Sequence, residues 1–211
     1  LSLGLGEGDW LWSSPNTFVA SLNCALHCRA KISFVDIDKE TGLMSIEALR
    51  KKLSIASDNG TLPKIIIPVH LCGTSCDMKE IAKLSSIYNF KIIEDASHAI
   101  GGFYENDPIG NCKYSDITVF SFHPVKIITT GEGGVASTNN EELFNSMKML
   151  RNHGITKDKN LFHYPIKGPW SYEQQLLGFN YRMTEIQAAL GLSQLKRLDK
   201  IIEERHMIYE K

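Results

Sequence analysis

The sequence predicts an α/β domain, a mainly parallel sheet flanked by helices. Two observations carry this reading. Three short runs, Lys31–Val35 (KISFV), Lys64–Pro68 (KIIIP) and Phe90–Glu94 (FKIIE), are apolar throughout rather than alternating. A strand covered on both faces has that pattern. Between the runs lie segments with helical spacing and helix-starting residues, and strand–helix–strand repetition brings strands side by side in parallel through crossovers.

The elements follow in order. After Lys31–Val35 a turn spans Asp36–Gly42, and Ser45 opens an amphipathic helix with Ile46, Leu49 and Leu53 on one face. Ser57–Thr61 reads as a polar loop before the Lys64–Pro68 strand. Asp77 caps a second helix whose apolar face is Met78, Ile81, Ala82 and Tyr88. Phe90–Glu94 is the next strand, Asp116–Phe122 (DITVFSF) another, and Gly134–Ser137 a short one. Ile155–Tyr172 mixes Gly, Pro, Lys and aromatics without periodicity, a loop long enough to suggest function or an interface. Thr184-Glu-Ile-Gln187 is a capping box that starts a long helix. Its apolar positions, Ile186 through Ile202, cover more than one stripe, so packing on two sides is expected.

Composition narrows the function classes. With 211 residues and 43% hydrophobic content the chain has material for a sizeable core. Its net charge of −1 gives no basic field for nucleic acid or an anionic membrane. No apolar run approaches the ~20 residues of a spanning helix, and no signal-peptide pattern is present. Five cysteines, an odd count, fit a reducing cytoplasm rather than a disulfide scaffold. Cys24-x3-Cys28 and Cys72-x3-Cys76 lack the spacing and partners of a zinc site, and the first pair reads as small apolar residues in a helix spanning Phe18–Cys28. No metal is assigned.

Ligands of open α/β sheets sit beyond the carboxyl ends of the strands. Two such ends carry reactive groups. Lys91-Ile-Ile-Glu-Asp95 ends in a carboxylate and runs into Ala96-Ser97-His98; Val119-Phe-Ser121 ends in a hydroxyl and runs into Phe122-His-Pro-Val-Lys126. Thr129-Thr-Gly-Glu-Gly-Gly134 follows as a turn that permits close backbone approach. A carboxylate, a hydroxyl and an amine can therefore meet in one cleft. On residue type alone, Asp95 reads as a helix N-cap, Lys126 as a solvated loop lysine, and Ser121 as a hydroxyl bonded to its own backbone.

The ordered string EDASHA-I-G, SD-x-T-x-FSFHP-x-K-x-ITTGEGG and GFNYRMTEIQAALG-x-SQL resembles the DegT/StrS-type sugar aminotransferases, over nearly the whole chain from Gly8-Asp9 to Arg182 and beyond. The resemblance implies a fold-type-I large domain that binds pyridoxal 5′-phosphate. Its wording is closest to the pseudaminic-acid pathway members, which aminate C4 of a UDP-linked 4-keto-6-deoxy-N-acetylhexosamine, with glutamate as donor. By that likeness Lys126 would hold the cofactor's aldehyde and shuttle protons, and Asp95 would face the pyridine nitrogen and keep it protonated. His98 would lie beside the phenolic oxygen, Ser121 would bind the phosphate, and Phe18 would stack on the ring. Asn180 would reach the phosphate from a partner subunit, making a homodimer with a composite site, and Arg182 is near enough to serve an anionic substrate.

The same resemblance sets the domain reading: residues 1–183 as the cofactor-binding large domain and 184–211 as the start of a helix leading to a small domain. Because the chain begins at Leu1 and stops inside that helix, the family's N-terminal phosphate cradle and its small domain are expected to lie outside it. Two other readings share the fold. A cofactor-dependent sugar dehydratase would carry histidine in place of Lys126. A binding or regulatory protein without turnover would need no proton-shuttling amine opposite an electron sink.

Overall fold

The computed structural model describes residues 1–211 and centres on a six-stranded sheet. The strands are β1 (Trp10–Ser13), β2 (Lys31–Phe34), β3 (Ile65–Ile67), β4 (Lys91–Asp95), β7 (Ile117–Ser121) and β8 (Gly134–Ser137), with a small hairpin of β5 (Phe103–Tyr104) and β6 (Asp107–Pro108) between β4 and β7. Their order across the sheet is β2-β1-β3-β4-β7-β8. Every pairing is parallel except β7 with β8, which is antiparallel. The carboxyl ends of the parallel strands therefore share one edge, and Gly134, paired with Ser121, brings the start of β8 to it.

Side-chain alternation sorts the core into two layers. Leu11, Ile65 and Ile67 face Leu22 and Ala25 of α1 (Ala20–His27). Trp12, Ile66 and Ile92 face Leu49 and Leu53 of α2 (Ile46–Asn59) and Met78, Ile81 and Leu84 of α3 (Met78–Tyr88). The helices start where the sequence places them: the Ser45 side chain accepts from the Ala48 amide and Asp77 from the Glu80 amide. They end on left-handed residues, Gly60 (φ 67°) and Asn89 (φ 56°).

Several expectations are corrected. Ser57–Asn59 belong to the last turn of α2 rather than to a loop. β2 is half-exposed because it is the sheet's edge, with no strand beyond it to complete the cover. β1 and α4 (Glu141–Leu150) have no counterpart in the sequence reading. The segment after α4 is tied down by β9 (Ile155–Thr156) pairing with β10 (Glu173–Gln174) and by a short helical turn at Lys159–Leu161. The long helix from Thr184 is two helices, α5 (Glu185–Leu195) and α6 (Leu198–Tyr209), broken at Lys196–Arg197. Its capping box forms as read. Two-sided packing does not: no residue of α5 is buried, and Ile186 is 84% exposed. Its contacts include Gly191 against the Thr130 methyl and Gly101 against Leu198 and Ile202. No helix is long and apolar enough to cross a membrane.

Candidate active site

Glu94 and Asp95 are consecutive on β4, so pleating sends them to opposite faces of the sheet. Glu94 turns towards α2 and α3 and is 5% exposed. It accepts from His70 Nε2 (2.8 Å), from Thr118 Oγ1 (3.0 Å) and from Ser115 Oγ. His70 is fully buried, and its Nδ1 accepts from the Cys76 amide (3.2 Å), which assigns the ring proton to Nε2. Burial pushes the Glu94 carboxyl up, but the hydrogen bonds from His70, Ser115 and Thr118 outweigh it and hold the group below its ordinary value. This carboxylate has its donors already and is shut off from ligands.

Asp95 turns the other way, towards α1, and is half-buried. Its Oδ2 accepts from Ser21 Oγ (2.7 Å) and its Oδ1 from the Ser97 amide (3.1 Å). Its backbone is fixed too: the amide donates to Pro68 O (2.9 Å) and the carbonyl accepts from the His70 amide (3.0 Å). The side chain is therefore aimed while lone pairs remain for a further donor.

Lys126 lies in the turn after β7, half-buried. The turn is closed by Lys126 N to His123 O (2.9 Å), Thr130 N to Phe122 O (3.0 Å) and Phe122 N to Gly133 O (2.8 Å). His98 sits within the electrostatic reach of both Lys126 and Asp95. Burial lowers its pKa, the Lys126 charge lowers it further, and Asp95 opposes them without reversing the shift. His98 Nδ1 accepts from the Cys72 amide (3.3 Å), leaving Nε2 as the proton-bearing atom. Cys72 holds that amide in place from a left-handed backbone (φ 54°), uncommon for a residue with a side chain. Ser121 ends β7, with only a long contact to its hydroxyl from the His123 amide (3.4 Å). Phe18, 74% exposed, lies at the rim, and its carbonyl accepts from the Ser21 amide (3.2 Å).

Thus Asp95, His98, Lys126, Ser121 and Phe18 share the carboxyl edge of the sheet. Asn180 and Arg182 belong to another network. Asn180 bridges Asn152 in antiparallel fashion, and Arg182 Nη1 donates to Asn152 Oδ1 (2.7 Å). Nearby, the Phe179 and Tyr181 rings stack at 4.8 Å. Cys24 is exposed, off the Leu22–Ala25 face of α1, whereas Cys28, which follows the helix, is half-buried against the Leu22–Ala25 cluster, so the two do not form the buried pair expected. Cys76 is buried, and burial pushes its thiol up to about 12.

Ser21 and His70 escaped the sequence reading. A faint signal existed for the first: Thr17 and Ser21 are hydroxyls four residues apart, one helical turn, in an otherwise apolar stretch.

The chain matches the DegT/DnrJ/EryC1/StrS aminotransferase family over residues 1–211. It is 41% identical over 207 residues to the UDP-4-amino-4,6-dideoxy-N-acetyl-beta-L-altrosamine transaminase of Campylobacter jejuni subsp. jejuni serotype O:2, covering 98% of this chain and 51% of that protein. Among solved structures it resembles Helicobacter pylori PseC, an aminotransferase involved in the biosynthesis of pseudoaminic acid, with TM-score 0.78 and 34% identity over 92% of this chain and 47% of that one. It also resembles Spr1654 from Streptococcus pneumoniae in its PMP form, described as a sugar aminotransferase, with TM-score 0.83 and 30% identity over 99% and 55% of the two chains. The chain spans about half the length of the curated relatives it matches.

Proposed function

This chain belongs to the DegT/DnrJ/EryC1/StrS aminotransferase family, and from that premise we propose that its protein is a pyridoxal 5′-phosphate-dependent nucleotide-sugar aminotransferase. The proposed acceptor is the C4 ketone of a UDP-linked 4-keto-6-deoxy-N-acetylhexosamine, the substrate class suggested by the altrosamine transaminase likeness, and the proposed donor is glutamate. One observation carries the reading: an aimed carboxylate ending β4 and a half-buried lysine in the turn after β7, its parallel neighbour, stand at the sheet's ligand-binding edge.

The donor set fits the cofactor. When bound, pyridoxal phosphate supplies an aldehyde that accepts the amino group and a ring that withdraws electrons. Lys126 is the primary amine for that aldehyde and the base that returns a proton to carbon. No carboxylate pairs with it, so its nitrogen is not tied up in an ion pair. Asp95 would hold the proton on the ring nitrogen. His98, neutral near pH 7 and bearing its proton on Nε2, is a hydrogen-bond donor suited to a phenolate oxygen. Ser121 would bind the phosphate, and Phe18, already at the rim, would cover the ring face. Asn180, outside this cluster, is assigned to the site of a partner subunit, which makes the working protein a homodimer. Residues 1–183 would form the large domain and 184–211 the approach to a small one. A cytoplasmic location suits a reduced five-cysteine chain.

The test is borohydride reduction of the cofactor-loaded full-length protein, followed by digestion and peptide mapping. The pyridoxyl group is expected on Lys126, and glutamate is expected to convert the bound cofactor to its amine form. A label on another lysine, or no conversion by glutamate, overturns the proposal.

A further inference from the structure

We propose that Ser21 and Thr17 are positioning residues for Asp95, and that they set how firmly this carboxylate holds a protonated ring nitrogen. The inference rests on the cofactor reading above. Thr17 Oγ1 donates to Ser21 Oγ (2.8 Å), and Ser21 Oγ donates to Asp95 Oδ2 (2.7 Å). The direction is forced, because an ionised carboxylate only accepts and each hydroxyl has one proton. Ser21 is 7% exposed, so water competes little for that proton. Consecutive hydroxyls polarise one another, which strengthens the last bond of the chain.

Asp95 has no cationic partner among the ion pairs of this structure. Its orientation therefore depends on the Ser21 hydroxyl and the Ser97 amide. The terminal torsion of an aspartate is broad, and without Ser21 the Ser97 amide alone would leave Oδ2 free to swing. The same turn carries Phe18, whose carbonyl accepts from the Ser21 amide. Ser21 thus joins the carboxylate that would face the ring nitrogen to the aromatic that would cover the ring face.

The test uses the full-length protein stripped of cofactor and reloaded with either pyridoxal phosphate or its 1-deaza analogue, in which carbon replaces the ring nitrogen. Loss of one hydrogen bond to a charged group corresponds to about 10- to 100-fold in affinity. Ser21→Ala is expected to weaken pyridoxal phosphate by that factor and the deaza analogue by no more than about threefold. Thr17→Val should act in the same direction by about threefold, on pyridoxal phosphate alone. It is half-buried and leaves Ser21 in place, so it carries the test if Ser21→Ala fails to fold. Ser21→Thr, which keeps a hydroxyl, should restore most of the difference between the two cofactors. Equal weakening of both cofactors, or none, overturns the positioning role. A wild-type protein that takes up neither overturns the cofactor reading instead.

Discussion

Replacing His70 with leucine should cost about 3–5 kcal/mol of stability at pH 7, and the loss should shrink in acid. Two buried groups lose a partner. Glu94 forfeits the His70 Nε2 donor at 2.8 Å, a charge-assisted bond of about 1.5–3 kcal/mol, and the Cys76 amide is orphaned at about 1–3 kcal/mol. The carboxyl has an escape, which is to take up a proton. From an unfolded value near 4.3, doing so at pH 7 costs about 3.7 kcal/mol, at about 1.4 kcal/mol per pH unit. That figure caps the Glu94 share of the damage. In the wild type the folded carboxyl titrates below its ordinary value, so its contribution is fully present above the unfolded pKa. That contribution is lost only as the pH falls through the folded pKa. Between pH 7 and 5 the wild type is therefore unaffected by Glu94, whereas the variant gains as protonation becomes cheaper. Urea denaturation of both proteins at pH 7 and pH 5, with matched m-values, measures the difference. A deficit below about 1 kcal/mol at pH 7, or one that does not shrink at pH 5, would refute this account of the network.

At the site, Lys126→Ala and Asp95→Asn should each lower transamination by about 10²- to 10⁴-fold, the range of a proton-transfer or electrostatic group, with far-ultraviolet circular dichroism unchanged. His98 should titrate below 6.5 in the cofactor-free protein, as followed by NMR of its ring protons. Its pKa should rise in Lys126→Ala and fall further in Asp95→Asn; movement in the opposite directions would contradict the placement of the two charges around it. Since folding lowers this pKa, the unfolded chain takes the proton first, and His98 subtracts stability as the pH drops from about 6.5 towards the folded value. Brief alkylation at pH 8 should label exposed Cys72 first, Cys24 more slowly because burial and then Cys28 push its thiol up, and should spare Cys76, whose thiol is buried and pushed up to about 12.

The strands buried on both faces were the easiest to read, because a short, wholly β-branched run such as Ile65-Ile66-Ile67 favours a covered strand over a helix. β1 was missed although Leu11 and Trp12 are core residues: four residues between glycine-rich and serine-rich stretches give no period to detect. α4 was missed although the sequence marks it, with an Asn140 cap, two glutamates in the first turn and an apolar stripe of Leu143, Phe144, Met147 and Leu150. The α5–α6 stretch looked like one helix because its apolar residues continue across Lys196–Arg197, where no Gly or Pro announces a break. Asp95 and Lys126 could be found because one ends a strand and the other follows one, each in a distinctive motif. Ser21 could not: its role exists only because α1 lies over the end of a strand 74 residues further along the chain. The same holds for His70, which is just another residue after an apolar run until Glu94 is folded against it.

The back-to-back carboxylates on β4 make the chemistry hostage to strand register. A slip of one residue would exchange their faces. In the direction that a shorter lead-in forces, Asp95 would take the place of Glu94 and fall short of the donors prepared for it, while Ala96 would take the place of Asp95. The short Asn89–Phe90 connection after α3 is thus a spacer of set length. A single-residue deletion there would produce a sheet that still pairs and a pocket with alanine where its acid group belongs.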